Sequence, residues 1–99
     1  MTGVQTCALP IWRFKFELDK RYESISEDAA RGEFLATYLV DAETVVRLWA
    51  LDKAYKWRVA PGSKLPEKLS PVLIKLISDG DRGVRLITAE LLALMPKLN

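Results

Sequence analysis

The feature that most constrains the fold of this chain is a short pattern that occurs twice. Asp41 and Asp79 each stand five residues before a Val-Arg pair, which ends at Arg47 in the first copy and at Arg85 in the second. The two arginines are 38 positions apart. In both copies an acidic residue follows two positions after the aspartate, and a small residue follows three positions after the arginine. A pattern that recurs at a fixed spacing indicates an internal structural repeat.

The pattern resembles that of the HEAT-repeat family, whose second helix carries an Asp…Val-Arg…Ala sequence. The resemblance covers residues 26–95, and its spacing is slightly shorter than the ~40–47 residues usual for such repeats. It implies an all-α fold in which two helical hairpins stack as a segment of an α-solenoid. It further implies that four residues brace one repeat against the next: Asp41, Arg47, Asp79 and Arg85.

The chain divides into four predicted parts. They are a foreign N-terminal segment (1–11), an extended arm or orphan strand with a connector (12–25), a first HEAT-like repeat (26–58) and a second one (64–96). Solenoids generally need about three or more repeats for stability, so we expect these 99 residues to be a fragment of a larger protein.

The first eleven residues contain no charged side chain and fit no helix or strand pattern. Thr2 to Ile11 can be back-translated into a widely used sequencing-adapter oligonucleotide read in frame. We therefore interpret this segment as an assembly remnant in a metagenomic gene and set it aside from fold reasoning. A genuine flexible N-terminus is the alternative.

Residues 12–18 alternate strictly between apolar and charged side chains, which is typical of a half-buried strand. Nothing else in the sequence supplies a convincing partner strand, and a lone strand leaves its backbone groups unpaired. The segment is therefore predicted to be either the last strand of a lost β-domain or an arm, extended or helical, lying against the helices.

Four helices are predicted after this segment. They span about Ser26 to Val40, Glu43 to Trp57, Pro66 to Ile77, and Asp81 or Arg82 to Met95. Ser26 is the predicted N-cap of the first. The second is apolar nearly all round and so should have neighbours on two sides. Pro71 should bend the third or delay its regular start.

The composition excludes several kinds of chemistry. The chain has no histidine, and its single cysteine, Cys7, lies in the foreign segment, so no catalytic, cofactor-binding or metal-binding residue is predicted. Fifteen basic residues against thirteen acidic ones leave a charge of +2, too near balance to favour nucleic acid. No apolar run reaches the length of a membrane span.

One cluster mixes cations with an aromatic side chain and forms a candidate binding edge: Lys53, Lys56, Trp57 and Arg58. A phosphate-binding role is conceivable here. The simpler interpretation is that cations complement the dipole at the end of a helix while the tryptophan completes the core.

The predicted function is that of a non-catalytic scaffold that contacts a protein partner or neighbouring repeats of the same chain. The alternatives are an accessory helical domain of a multidomain enzyme, which a β-strand before the repeats would favour, and a nucleic-acid-binding repeat. The sequence leaves the compartment and any small-molecule ligand open.

Deleting residues 1–11 should leave the helical circular-dichroism signal unchanged, since the foreign segment contributes no predicted element. Far-ultraviolet spectra of the full and shortened chains provide the measurement. A large loss of helical signal would show that the segment is a genuine part of the fold.

Overall fold

The structure is a computed structural model that describes residues 15–94. Within that range the chain forms five α-helices and no strand. The helices are α1 (15–23), α2 (Asp28–Leu39), α3 (Thr44–Val59), α4 (Leu69–Leu76) and α5 (Arg82–Leu94). The predicted all-α class is confirmed for the described residues.

Residues 15–18, the first residues described, belong to α1. The strand and the extended arm are therefore wrong for these residues, and the helical alternative agrees with the structure. Leu18 is 2% exposed, and Tyr22, one helical turn later, packs against the same core. Phe16 was predicted to share a face with Leu18 but is 61% exposed. Side chains two positions apart share a face only in a strand, so the burial pattern is that of a helix. The other strand residues, 12–14, lie outside the described residues.

Helix α2 begins two residues later than predicted, and Ser26 is not its N-cap. The cap position is Glu27, which makes no side-chain capping hydrogen bond. Gly32 lies on the buried face of α2, where an added Cβ would approach Pro66 Cγ to 2.8 Å. The glycine therefore permits a close approach to the segment that precedes α4.

Helix α3 packs against α2 on one side and α5 on the other, as its broad apolar surface predicted. Its buried residues are Val46, Trp49, Ala50, Leu51, Ala54 and Trp57. It extends two residues beyond the predicted end and gives way to a loop in which Gly62 has a φ of 75°. This left-handed conformation favours glycine over residues with a Cβ.

Helix α4 starts regularly only at Leu69, so Pro71 lies in its first turn, where a missing backbone N–H is tolerated. Helix α5 follows a tight turn in which Asp81 Oδ2 accepts a hydrogen bond from the Val84 N–H at 3.0 Å. That bond caps the start of α5. Besides packing on each other, α4 contacts α2 and α5 contacts α3.

Among residues 15–94, no helix combines the length and the apolar character needed to cross a lipid bilayer. The same range contains no group of three or more acidic, histidine or cysteine side chains placed to hold a metal ion.

Val84→Asp should unfold the domain. Val84 is fully buried, and an unpaired carboxylate there costs more than the ~5 kcal/mol by which a small domain is stable. Leu86→Asp, two residues along the same helix, is the matched control because Leu86 is 56% exposed. Thermal unfolding followed by circular dichroism should show no transition for the first variant and a nearly native one for the second. Equal transitions in the two variants would contradict this placement of the core.

Candidate functional site

A buried ion pair joins the two copies of the repeated pattern. Arg47 Nε lies 2.9 Å from Asp79 Oδ1, and Arg47 Nη2 donates to Asp79 Oδ2 at 3.1 Å. The two side chains are only 14% and 10% exposed. The hydrogen bond from Nη2 and the close approach of Nε hold the guanidinium against the carboxylate, so this pair sets how α3 lies against the turn before α5.

The local geometry around each arginine is repeated at the 38-residue offset. Arg47 Nη1 donates to the Asp41 carbonyl oxygen at 2.8 Å, and Arg85 Nη1 donates to the Asp79 carbonyl oxygen at the same distance. Each aspartate also accepts a hydrogen bond from the backbone N–H two residues later, at 2.9 Å in both copies. All four predicted bracing residues therefore make equivalent contacts within their own copy. Only Arg47 and Asp79 are paired across copies.

The surroundings of Asp79 favour its charged form. Burial by itself would raise the pKa of this carboxyl, but the backbone N–H of Asp81 and the Arg47 guanidinium outweigh burial and hold the pKa below its ordinary value. Asp79 is therefore ionised throughout the neutral range.

Helix α5 carries an exposed row of side chains whose counterparts on α3 are covered. This row, the α5 stripe, consists of Arg85, Leu86 and Ala89. Its counterparts 38 positions earlier are Arg47, Leu48 and Leu51, which are partly or fully buried. Leu48 Cδ2 lies 3.7 Å from where a Cβ on Gly83 would stand, so the start of α5 covers this part of α3. Among residues 15–94, no carboxylate is ion-paired with Arg85.

The opposite side of α3 contacts α1 as well as α2. Asp19 Oδ1 accepts a hydrogen bond from Trp49 Nε1 at 2.7 Å and lies 3.0 Å from Lys53 Nζ. Burial alone would raise the pKa of Asp19, but these two partners lower it overall. Arg47 and Trp49, two positions apart on a helix, point in nearly opposite directions. Helix α3 is thus held by one carboxylate on each side.

Where α1 ends, it leaves an open cleft of about 650 Å³ over the second half of α3. Residues from the end of α1, the start of α2, α3 and the loop after it line the cleft. They are Tyr22, Glu23, Asp28, Arg31, Lys53, Lys56, Trp57, Ala60, Gly62, Ser63 and Lys64.

Three residues of the predicted binding edge, Lys53, Lys56 and Trp57, line this cleft. The fourth, Arg58, does not. Its Nη2 donates instead to the carbonyl oxygen of Leu94 at the end of α5. Arg58 therefore ties α3 to α5 on the side away from the cleft.

Sequence reasoning missed the residues that other elements bring to the cleft, chiefly Tyr22 and Arg31. The guanidinium of Arg31 lies 5.8 Å from the Tyr22 ring centroid and 5.4 Å from that of Trp57. Arg31 also donates to the Ile25 carbonyl oxygen at 2.8 Å and pairs with Asp28 at 3.2 Å. No local sequence pattern indicates this arrangement, because it joins residues from different helices.

The pKa shifts of Asp79 and Asp19 predict acid sensitivity. A carboxylate whose pKa is lowered by folding stabilises the native state above its unfolded pKa, and this contribution disappears as the pH falls through its folded pKa. We expect the free energy of unfolding to be level near neutral pH and to decline below about pH 4. Asp79→Asn should cost about 2–3 kcal/mol at pH 7, since it leaves Arg47 buried without a partner charge, and less at pH 3.

Asp52→Asn is the matched control, because Asp52 forms a solvent-exposed pair with Lys56. It should change stability by about 0.5 kcal/mol or less. Urea unfolding at pH 7 and pH 3 measures both variants. A gap between wild type and Asp79→Asn that stays constant with pH would contradict the assigned role of this ion pair.

Comparison of the chain with protein-family models, with curated proteins and with solved structures found no significant match. The resemblance to HEAT repeats therefore stays a prediction that depends on the repeated residues themselves.

Proposed function

We propose that this chain is a HEAT-like helical-repeat module that acts as a non-catalytic scaffold. In this proposal α2 with α3 forms one hairpin, α4 with α5 forms the next, and the two stack as a short solenoid. The observation that carries it is the Arg47–Asp79 ion pair, which links the arginine of one copy to the turn aspartate of the next. Repeated units that contact mainly their neighbours are the defining property of a solenoid.

The α5 stripe is the docking surface of the proposed scaffold. Its counterpart on α3 is covered by the second copy, through Asp79 and the start of α5. Arg85, like Arg47, donates to the carbonyl oxygen of the aspartate six residues earlier. This contact orients its guanidinium as in Arg47, so that it can pair with the aspartate of another hairpin. The stripe therefore fits a helical hairpin whose turn carries an aspartate and whose second helix begins with a small residue. A neighbouring repeat of the same chain or a separate protein could supply it.

In the described part of the chain, the side of the molecule at α1 is covered, whereas the α5 stripe is not. On the side of α3 away from α5, α1 covers the helix and satisfies Trp49 and Lys53 through Asp19. Within residues 15–94, nothing equivalent covers the α5 stripe, where Leu86 is 56% exposed. Arginine is enriched at protein interfaces, and Leu86 beside Arg85 adds apolar surface that a partner would bury.

The alternative was an accessory domain of a multidomain enzyme, which a strand before the repeats would favour. Residues 15–18 of that segment are helical, so this support is lost. A nucleic-acid-binding role is disfavoured by the overall charge of +2.

The proposal can be tested by inserting a second copy of residues 57–94 directly after Leu94. This places an additional turn aspartate one repeat beyond Asp79. If α5 accepts another hairpin, the lengthened chain should unfold at a higher urea concentration, because the inserted unit buries the α5 stripe.

Arg85→Ala then tests whether any gain in stability comes from docking on the α5 stripe or only from the longer chain. It should cost about 2–3 kcal/mol in the lengthened chain, where Arg85 would be paired with a buried carboxylate, and about 0.5 kcal/mol or less in the original chain. Arg82→Ala, an exposed arginine on the same helix, serves as control and should have little effect in either chain. Equal effects of Arg85→Ala in the two chains would refute the proposed docking mode.

A further inference from the structure

We propose that the cleft at the end of α1 binds a small molecule carrying a phosphate monoester, held by lysines from α3 and from the loop that follows it. The cleft lies on the side of α3 away from α5, so this proposal does not depend on the α5 stripe. It concerns a ligand site, whereas the scaffold proposal concerns contact with another hairpin.

Charge is concentrated at this cleft. Four cationic side chains line it, Arg31, Lys53, Lys56 and Lys64, against two carboxylates, Glu23 and Asp28. Their excess of two positive charges equals the net charge of the whole chain, so the remaining residues are balanced. Cations gathered in a concave surface focus positive potential there, which favours an anionic ligand.

The cations differ in how far they are already engaged. Arg31 is held by Asp28 and by the Ile25 carbonyl oxygen, and Lys53 is held by Asp19. Lys56 makes only an exposed pair with Asp52, with 68% of its side chain accessible. Among the described residues no carboxylate lies within ion-pair distance of Lys64. Lys56 and Lys64 are therefore the groups available to a ligand.

Two available cations favour phosphate over carboxylate, because a phosphate monoester carries about −1.5 to −2 charge at pH 7 and a carboxylate carries only one negative charge. Both terminal nitrogens of Arg31 already donate within the protein. Lysine ammonium groups are point charges that can approach a tetrahedral anion from different directions. Lys56 and Lys64 come from a helix and a loop, so they can approach one phosphate from separate directions.

The loop after α3 adds neutral donors. Gly62 and Ser63 both line the cleft, and nothing lies within 4 Å of the position of a Cβ on Gly62. The Ser63 N–H already donates to the Ala60 carbonyl oxygen, so this loop offers a ligand the Ser63 hydroxyl and the open backbone at Gly62. Serine hydroxyls and backbone N–H groups are common phosphate ligands.

The size of the cleft indicates a ligand larger than phosphate itself. A volume of about 650 Å³ lies within the ~300–1,000 Å³ typical of sites for small organic molecules. Half-buried Tyr22 and the small exposed part of Trp57 line the cleft and supply aromatic surface for the organic part. The ligand class is therefore a phosphate monoester with a compact, ring-sized body.

Phenyl phosphate is the probe for this site, with inorganic phosphate and benzoate as comparison ligands. Titration of the ¹⁵N-labelled full chain, followed by amide chemical shifts, should perturb Gly62, Ser63 and Lys64. Phenyl phosphate should bind more tightly than either comparison ligand, because only it offers both the phosphate and the ring. Equal affinity for benzoate, or shifts confined to residues outside the cleft, would overturn the proposal.

Charge-neutral variants then test the assigned residues. Lys56→Gln with Lys64→Gln should weaken phenyl phosphate binding by about tenfold, since it removes both available cations. Lys20→Gln with Lys75→Gln removes the same charge at exposed positions outside the cleft and should change the affinity by less than about twofold.

Glu23→Gln should act in the opposite direction and tighten binding, because it removes a carboxylate from the cleft. All the substituted side chains are exposed, so the variants should keep the native fold. The same loss of affinity in the Lys20/Lys75 variant as in the Lys56/Lys64 variant would show non-specific attraction and overturn the site.

Discussion

The two-sided packing of α3 is the constraint on which the rest of this structure depends. A helix that is apolar on most of its circumference cannot be exposed to water on either side without cost, so it needs a neighbour on each. Helices α2 and α5 pack against it, and α1 covers the side where Trp49 lies. Leu35, Leu51 and Leu91, from three different helices, are fully buried in the resulting core.

Within that arrangement, polar contacts determine the alignment of the helices and contribute little to the net stability of the fold. Removing both Arg47 and Asp79 from water is expensive. Their attraction offsets much of this cost because Arg47 Nη2 donates to the carboxylate, and because Arg47 Nη1 and Asp79 Oδ2 each make a further hydrogen bond. A buried pair of this kind adds little net stability, but a shifted alignment of α3 against α5 would leave both charges unpaired. The ion pair therefore selects one alignment, and Arg58 at the other end of α3 reinforces it by bonding to the Leu94 carbonyl oxygen.

The two proposed surfaces follow from the unequal covering of the two sides of the molecule. On one side α1 ends at residue 23 and leaves the second half of α3 uncovered, and this half becomes the floor of a cationic cleft. On the other side, the α5 stripe repeats the chemistry of a surface that is covered one repeat earlier. One side of the molecule thus offers a concave site for a small anion, and the other offers a helix face suited to another helix.

The sequence by itself determined the helical class, four of the five helices to within about three residues at each described end, and the pairs of aspartate and arginine that begin each copy. It could do so because helix periodicity, prolines, glycines and turn aspartates act locally, over one or two turns of chain. It also placed Lys53, Lys56 and Trp57 together, since they lie on neighbouring turns of one helix.

Only the tertiary structure decided the rest. The alternation of residues 12–18 suits a strand, yet residues 15–18 are helical, because a lone strand would leave its backbone unpaired and a helix satisfies it internally while burying Leu18 and Tyr22. Likewise, no local pattern could show that Arg31 would contact Tyr22 and Trp57. Nor could one show that Arg47 would form its ion pair with Asp79 and not with Asp41. Such contacts join residues far apart in the chain, and their free energy exists only once the helices have packed.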